Sequence, residues 1–333
     1  MHKDHTLKNN KKNIENLIDG IRAGNRKFLA QAITLIESEK KQHKIDSQTL
    51  LTKLFTNNVT SIRIGITGIP GAGKSTFIET LGTNLTKIGF QVAVVTVDPS
   101  SSITGGSILG DKTRMVELSR NPNAFIRPSP TSGTLGGVKK STRESILLCE
   151  AAGYDVILIE TVGVGQSEIS IAEMVDFCLL ILISGAGDEL QGIKKGVLEL
   201  ADIIAINKAD GDSLEASKRT ALEYKNALRI LQSTEENETP VVTISGLKNI
   251  GVDNLWEEIS KKLDKIKLDG TLKENRLIQQ KKWMWEMVEE KIIREIESKT
   301  DIMKLKSEME ELISNGGITP VSAAESILKS IYS

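Results

Sequence analysis

The chain has 333 residues, 39% of them hydrophobic and 26% charged, with a net charge of −1. That supplies one large globular domain with appendages, and too balanced a charge to drive binding to nucleic acid or an anionic membrane. The longest strongly apolar run, Phe177 to Ile183, is far too short to span a bilayer, and the lysine-rich N-terminus has no apolar segment of the secretory kind, so a cytoplasmic protein is expected.

Residues 1 to about 12 are polar and basic, a frayed tail. All three histidines, His2, His5 and His43, lie near this end and read as solvated residues in preference to a metal site. Ile14, Leu17, Ile18 and Ile21 mark a first helix closed by Gly24; Phe28, Leu29, Ala32, Ile33 and Ile36 mark a second. A third is expected from Ser47 to Phe55 with Ser47 as its N-cap, completing a helical extension over residues 1–60.

From Ile62 onward strands alternate with helices over residues 61–268. The strands are expected at Ile62–Thr67, Phe90–Val97, Tyr154–Glu160, Phe177–Ser184, Ile203–Asn207 and Pro240–Ser245. Their continuous Val/Ile/Leu runs mean that both sheet faces are covered. The fold class is therefore α/β, a mainly parallel sheet wrapped by helices. In such sheets ligands sit at the carboxyl ends of the strands. Cys149 and Cys178 stand alone in apolar surroundings and read as buried free thiols rather than a disulfide. Residues 269–333 are helical only. Leu277, Ile278, Trp283, Met284, Met287, Val288, Ile292, Ile293 and Ile296 form a long amphipathic series. Two further helices follow, separated by Asn315-Gly316-Gly317 and restarting near Thr319-Pro320. So short a tail has little core of its own, which favours a partner interface, here a dimerisation arm, over core packing.

The most specific stretch is Gly68-Ile69-Pro70-Gly71-Ala72-Gly73-Lys74-Ser75, which matches the phosphate-binding pattern G-x-x-x-x-G-K-[ST]. Its context is strand before and helix after: Phe77, Ile78, Leu81, Leu85 and Ile88 fall at helical spacing, and Gly89 is placed to end that helix. Backbone N–H groups converge where the helix dipole is positive, which makes an anion site. Lys74 is expected to reach the β- and γ-phosphates, and the Ser75 hydroxyl to bind Mg²⁺; Thr76 joins the nucleotide-binding set. Asn207-Lys208-Ala209-Asp210 ends a strand and matches the N-K-x-D signature of GTPases. The Asp210 carboxylate can accept two hydrogen bonds, from the guanine N1–H and the exocyclic amine, whereas adenine presents an acceptor at N1. Ser245-Gly246-Leu247 ends the next strand and resembles the loop that backs the guanine.

Glu160-Thr161-Val162-Gly163 occupies the place of Asp-x-x-Gly in common GTPases. The Gly163 N–H can contact the γ-phosphate, while Glu160, one methylene longer than aspartate, meets Mg²⁺ directly or through water. Asp98 offers a second carboxylate at a strand end. Asp111, after a Gly/Ser-rich run with the composition of a mobile loop, is either catalytic or a solvated loop residue. Gln166 lies several positions beyond the place where Ras-type enzymes carry the glutamine that orients water.

This phosphate loop, Val-Asp-Pro-Ser-Ser from Val97, Glu-Thr-Val-Gly-Val-Gly-Gln-Ser-Glu from Glu160 and Asn-Lys-Ala-Asp together resemble the MeaB/ArgK family of P-loop GTPases. The resemblance takes in the run from Gly185 to Gly196, Trp283-Met284-Trp285 and Gly317-Ile318-Thr319-Pro320; only the tail before Ile14 matches nothing. It implies a Mg²⁺-dependent GTPase that acts as chaperone of an adenosylcobalamin-dependent acyl-CoA mutase of the methylmalonyl-CoA type, gating cofactor loading and protecting or reactivating the mutase. It implies homodimers built on the C-terminal helices, and an additional switch in which Asp188, Gln191 and Lys194 couple nucleotide to partner. Slow intrinsic turnover, accelerated by the partner, is the corresponding expectation. The alternatives are a nickel-type metal-insertion GTPase, which would need a His/Cys store that the sequence lacks, and a nucleotide-binding protein linked to basic amino-acid transport.

Overall fold

The computed structural model describes residues 13–56, 60–97, 115–128, 135–161, 167–185, 195–231 and 238–332. They fall into two compact units, Met1–Leu272 and Lys273–Ser333. Seven strands make up the sheet of the first unit: β1 (Ile62–Gly68), β2 (Val92–Val97), β3 (Ala124–Pro128), β4 (Val156–Thr161), β5 (Phe177–Ile183), β6 (Ile203–Asn207) and β7 (Val241–Thr243). Their order is β3-β2-β4-β1-β5-β6-β7, and every neighbouring pair is parallel. The strand that leads into the phosphate loop is therefore central, between β4 and β5.

Helices α1 (13–22), α2 (Arg26–Ile36) and α3 (Lys41–Leu54) precede the sheet. Helix α4 (Lys74–Lys87) follows β1, α5 (Val116–Arg120) leads into β3, and α6 (Leu135–Ala151) leads into β4. Helices α7 (Ser167–Ala172), α8 (Lys195–Glu199) and α9 (Leu214–Leu231) come after β4, β5 and β6, and α10 (Val252–Leu268) after β7.

Alternate strand residues face opposite sides, and both sides are apolar. Val92, Val94 and Leu158 pack with Ile64 and Ile66 under Phe77, Leu81 and Leu85 of α4 and Leu255, Ile259 and Leu263 of α10. Ala93, Val95, Ile157 and Ile159 pack on the other face, under Ile18 and Ile21 of α1, Leu29 and Ile33 of α2, Leu50 of α3 and Ile146 and Leu148 of α6. Leu180, Leu182, Ile204 and Ile206 bury Tyr224 and Leu228 of α9. This two-sided burial is why the strands read as unbroken apolar runs. Cys149 and Cys178 are free and buried. Burial pushes the Cys178 thiol up to about 12, and the Cys149 thiol higher still.

Several boundaries differ from the sequence reading; β1 ends one residue later, at Gly68, and β5 one residue earlier, at Ile183. Helix α3 starts at Lys41, so Ser47 is not its N-cap but an interior residue whose Oγ donates to the Lys44 carbonyl (3.0 Å). The Lys/Gln-rich stretch before it has good helix propensity without an apolar stripe. Strand β2 starts at Val92, because Phe90 closes the preceding helix, its N–H bonding the Leu85 carbonyl (3.1 Å), and sets its ring edge-on to Trp256 (5.9 Å). Strand β4 runs from Val156 to Thr161, one residue past Glu160. Strand β7 stops at Thr243, because Ser245 turns away and exchanges backbone bonds with Ile250 (2.9 and 3.1 Å). Strand β3 has no counterpart in the sequence reading; it is set by the parallel ladder with β2, from Val92 opposite Ala124 to Thr96 opposite Pro128.

The second unit contains α12 (Thr300–Ser314) and α13 (Pro320–Tyr332), preceded by α11 (Thr271–Glu297), which begins at the end of the first. Helices α12 and α13 pack on each other. The turn between them is made by Gly316 and Gly317, whose N–H groups bond the Ile313 and Leu312 carbonyls (3.0 and 2.8 Å). Thr319 then caps α13, accepting from the Ser322 N–H (3.2 Å), with Pro320 at the first helical position. No residue of α11 is buried among the described residues. No helix among them is long and apolar enough to cross a membrane.

Candidate active site

The carboxyl ends of β1, β4 and β6, together with the loop after β7, bring four sequence-distant segments to one edge of the sheet. At the end of β1 the chain passes so close to β5 that only glycine fits. Gly68 has φ 143°, and a Cβ there would lie 2.0 Å from the Ile181 carbonyl oxygen. Gly73, with φ 86°, begins α4 in the left-handed region, and a Cβ there would stand 2.7 Å from Asn207 Nδ2. The Ile69–Gly73 segment turns through a bond from the Ala72 N–H to the Ile69 carbonyl (3.2 Å), and α4 starts with the Phe77 N–H on the Gly73 carbonyl (2.9 Å). Lys74 lies back along this loop, its Nζ donating to the Gly68 and Ile69 carbonyls (2.8 and 3.0 Å), so its ammonium is held over the loop's concave side.

Ser75 and Glu160, 85 residues apart in sequence, meet here: the serine Oγ donates to Glu160 Oε1 at 2.7 Å. Glu160 is buried at the end of β4. Beside it the Thr161 and Thr67 hydroxyls bond each other at 3.0 Å, tying β4 to β1 at the level of the loop. The donor set that Ser75 and Glu160 present is oxygen only, the chemistry a hard divalent cation such as Mg²⁺ takes.

Asn207 connects the phosphate loop to the other half of the site. Buried at the end of β6, it donates from Nδ2 to the Ala72 carbonyl (2.7 Å) and accepts at Oδ1 from the Gly246 N–H (2.9 Å). Lys208 has φ 62°, and Ala209 returns to the sheet with its N–H on the Ile244 carbonyl (2.9 Å). This leaves Asp210 extended at the mouth of a short 3₁₀ turn, Gly211–Ser213. The result is a cavity of about 270 Å³ lined by Gly73, Thr76, Asn207, Lys208, Asp210, Ser213, Ser245 and Leu247. Ser213 went unremarked in the sequence, because only the turn after Asp210 carries it into the wall. Its place three residues past the N-K-x-D stretch was the available signal. Pro70 and Gly71 stay at the exposed tip of the loop. Asp98, Asp111, Gly163 and Gln166, and the coupling residues Asp188, Gln191 and Lys194, lie outside the described residues.

A glycine loop at a helix N-terminus, an oxygen pair beside it and an adjoining cavity floored by an N-K-x-D aspartate, all on the carboxyl edge of a parallel sheet, define a P-loop GTPase. Known proteins agree. The family model described as "Methylmalonyl Co-A mutase-associated GTPase MeaB" matches residues 29–301. A probable GTPase of Mycobacterium tuberculosis is 47% identical over 317 residues, covering 95% of this chain and 94% of the relative. The mitochondrial methylmalonic aciduria type A homolog of Mus musculus is 43% identical over 345 residues, covering 99% and 83%. Among solved structures, that of the LAO/AO transport system kinase superposes with a TM-score of 0.77 at 36% identity, covering 96% of this chain and 98% of the other. The chain belongs to the MeaB family of GTPases.

Proposed function

We propose that this GTPase binds GTP with its phosphates on the Gly68–Ser75 loop and its guanine in the adjoining cavity, and that it hydrolyses GTP to GDP and phosphate as chaperone of an adenosylcobalamin-dependent acyl-CoA mutase of the methylmalonyl-CoA type. The observation that carries the nucleotide part is the continuity of loop and cavity through one side chain, Asn207, which bonds both walls. The mutase part rests on the description of the family to which the chain belongs and on the name of one relative, the methylmalonic aciduria type A homolog.

On this reading the loop N–H groups and Lys74 neutralise and orient the β- and γ-phosphates, and Lys74 exchanges its two loop carbonyls for phosphate oxygens. Asp210 accepts from the guanine N1–H and amine, and Leu247 lies over the open side of the ring. Ser75 and Glu160 would hold Mg²⁺, which supplies charge neutralisation of the phosphates when bound. Asp98 remains a candidate for the same shell, and Asp111 and Gly163 for the phosphate side. The α11 stripe makes the dimer, and Asp188, Gln191 and Lys194 pass the nucleotide state to the mutase.

The experiment is GTP hydrolysis by the full-length protein with and without a purified methylmalonyl-CoA mutase. The mutase should raise turnover, and Lys194→Ala should blunt that stimulation. Unchanged turnover together with no co-sedimentation of the two proteins would overturn the partner while leaving the GTPase assignment intact.

A further inference from the structure

Helix α4 is apolar on the face that meets the sheet, through Phe77, Ile78, Leu81 and Leu85. A second stripe runs along it at four-residue intervals: Thr76, Thr80 and Asn84, which share one face of a helix. Thr76 already lines the cavity. The other two reach the loop after β7. Thr80 Oγ1 donates to the Gly246 carbonyl at 2.6 Å, across 166 residues of sequence. Asn84 Nδ2 donates to Asn249 Oδ1 (3.0 Å) and to Asp253 Oδ1 (2.8 Å), and Asn249 Nδ2 donates back to Asn84 Oδ1 (3.3 Å).

The loop so held is a closed unit. Ser245 and Ile250 exchange backbone bonds, and the Ser245 hydroxyl accepts from the Lys248 N–H (3.1 Å). Asn249 sits in the left-handed region at φ 53°. Gly246 is gripped on three sides: its carbonyl by Thr80, its N–H by Asn207, and its Cα by the Phe77 backbone, since a Cβ there would come within 3.0 Å of Phe77 Cα. Any shift of Gly246 is passed by Asn207 to the strand end that carries Asp210.

We propose that Thr80 and Asn84 are positioning residues for base specificity: the helix that starts at the phosphate loop holds the loop that backs the guanine, and so fixes how deeply the ring sits against Asp210. This deepens the guanine reading of the cavity and rests on it. Neither residue lines the cavity. Their effect falls on the base and leaves the phosphates alone.

The test uses full-length protein and three probes: GTP, inosine triphosphate, which lacks the exocyclic amine, and inorganic tripolyphosphate, which has no base. Thr80→Val keeps the side-chain shape and removes the donor. It should raise KM for GTP about tenfold, keep kcat within about twofold and narrow the preference for GTP over inosine triphosphate at least about threefold. Inhibition by tripolyphosphate should not change, and Thr80→Ser should restore both KM and preference. Asn84→Ala, at the exposed end of the stripe, should act in the same direction by a smaller factor, and it decides the matter if Thr80→Val does not fold. Equal weakening of GTP and tripolyphosphate, or an unchanged preference in the variants, would overturn the proposal. A wild-type protein indifferent between the two nucleoside triphosphates would instead overturn the guanine reading of the cavity, and the proposal with it.

Discussion

Asp210 carries the choice of base through hydrogen-bond arithmetic. Its carboxylate offers two acceptors to two guanine donors; an asparagine would offer one acceptor and set an NH₂ against a donor. Xanthine has a carbonyl where guanine has the amine, so the same asparagine satisfies it. Asp210→Asn should therefore lose GTP and gain xanthosine triphosphate, with the phosphate loop undisturbed. Fully buried pairs of this kind discriminate by roughly 10⁴-fold, and at a half-buried aspartate about 10²-fold is the expected size. Paired titrations of both nucleotides against wild type and variant measure it. Unchanged GTP affinity in the variant would remove Asp210 from base recognition.

Among the elements, β1 holds the site from both ends. Its carboxyl end is the phosphate loop. At its amino end Arg63 forms a two-bond ion pair with Glu150 at the end of α6 (2.7 and 2.8 Å), joined by the Ser61 hydroxyl on the same carboxylate (3.0 Å). The two side chains are 10% and 2% exposed, so removing one strands a buried charge. Arg63→Ala should cost about 3–5 kcal/mol, whereas Arg63→Met with Glu150→Leu should cost much less. Urea midpoints of the three proteins give the comparison. A loss under about 1 kcal/mol for the single variant would mean the pair is relaxed by water. The elements that frame the site were legible because burial on both faces writes continuous apolar runs into β1, β2, β4, β5 and β6. Strand β3 was not legible: Ala-Phe-Ile-Arg-Pro is five residues long, with a charge and a proline, and its pairing comes from β2. Helix α6 was expected only as one of the helices that alternate with the strands, and its start was not legible, because its first turn contains Gly136 and Gly137, poor helix formers. The meeting of Ser75 with Glu160 was suggested by the order of motifs. The cross-bracing by Thr80 and Asn84 was not, because hydrogen bonds between distant polar residues leave no periodic trace.

At the scale of the whole molecule, α11 exposes apolar surface among the described residues. Leu277, Ile278, Met284, Trp285, Ile292 and Ile293 are each between 47% and 62% exposed, recurring at seven- and eight-residue steps. At about 0.8–1.5 kcal/mol for the half of each side chain still exposed, two copies of that stripe yield roughly 10–18 kcal/mol gross, comparable to the about 4–15 kcal/mol cost of association. The protein should sediment as a dimer at micromolar concentration. Trp285→Asp with Ile292→Glu should give a monomer that still binds GTP. A monomeric wild type would sink the interface assignment.

The central place of β1 has a further consequence for how the protein comes into being. The strand that carries the phosphate loop is the first to be synthesised, yet its neighbours in the sheet, β4 and β5, are the fourth and fifth. Ser75 waits 85 residues for Glu160, Ala72 waits 135 for Asn207, and Thr80 waits 166 for Gly246. At about 5–20 residues per second, the last of these partners is translated roughly 10–30 s after α4. A nascent or truncated chain that stops before Ser245 carries the whole phosphate-loop sequence without the pocket beside it. Nucleotide can stabilise the fold only by binding a formed site, so its help reaches this chain when synthesis of the first unit is nearly over, after β4 and β5 have already been made to cover the edges of β1.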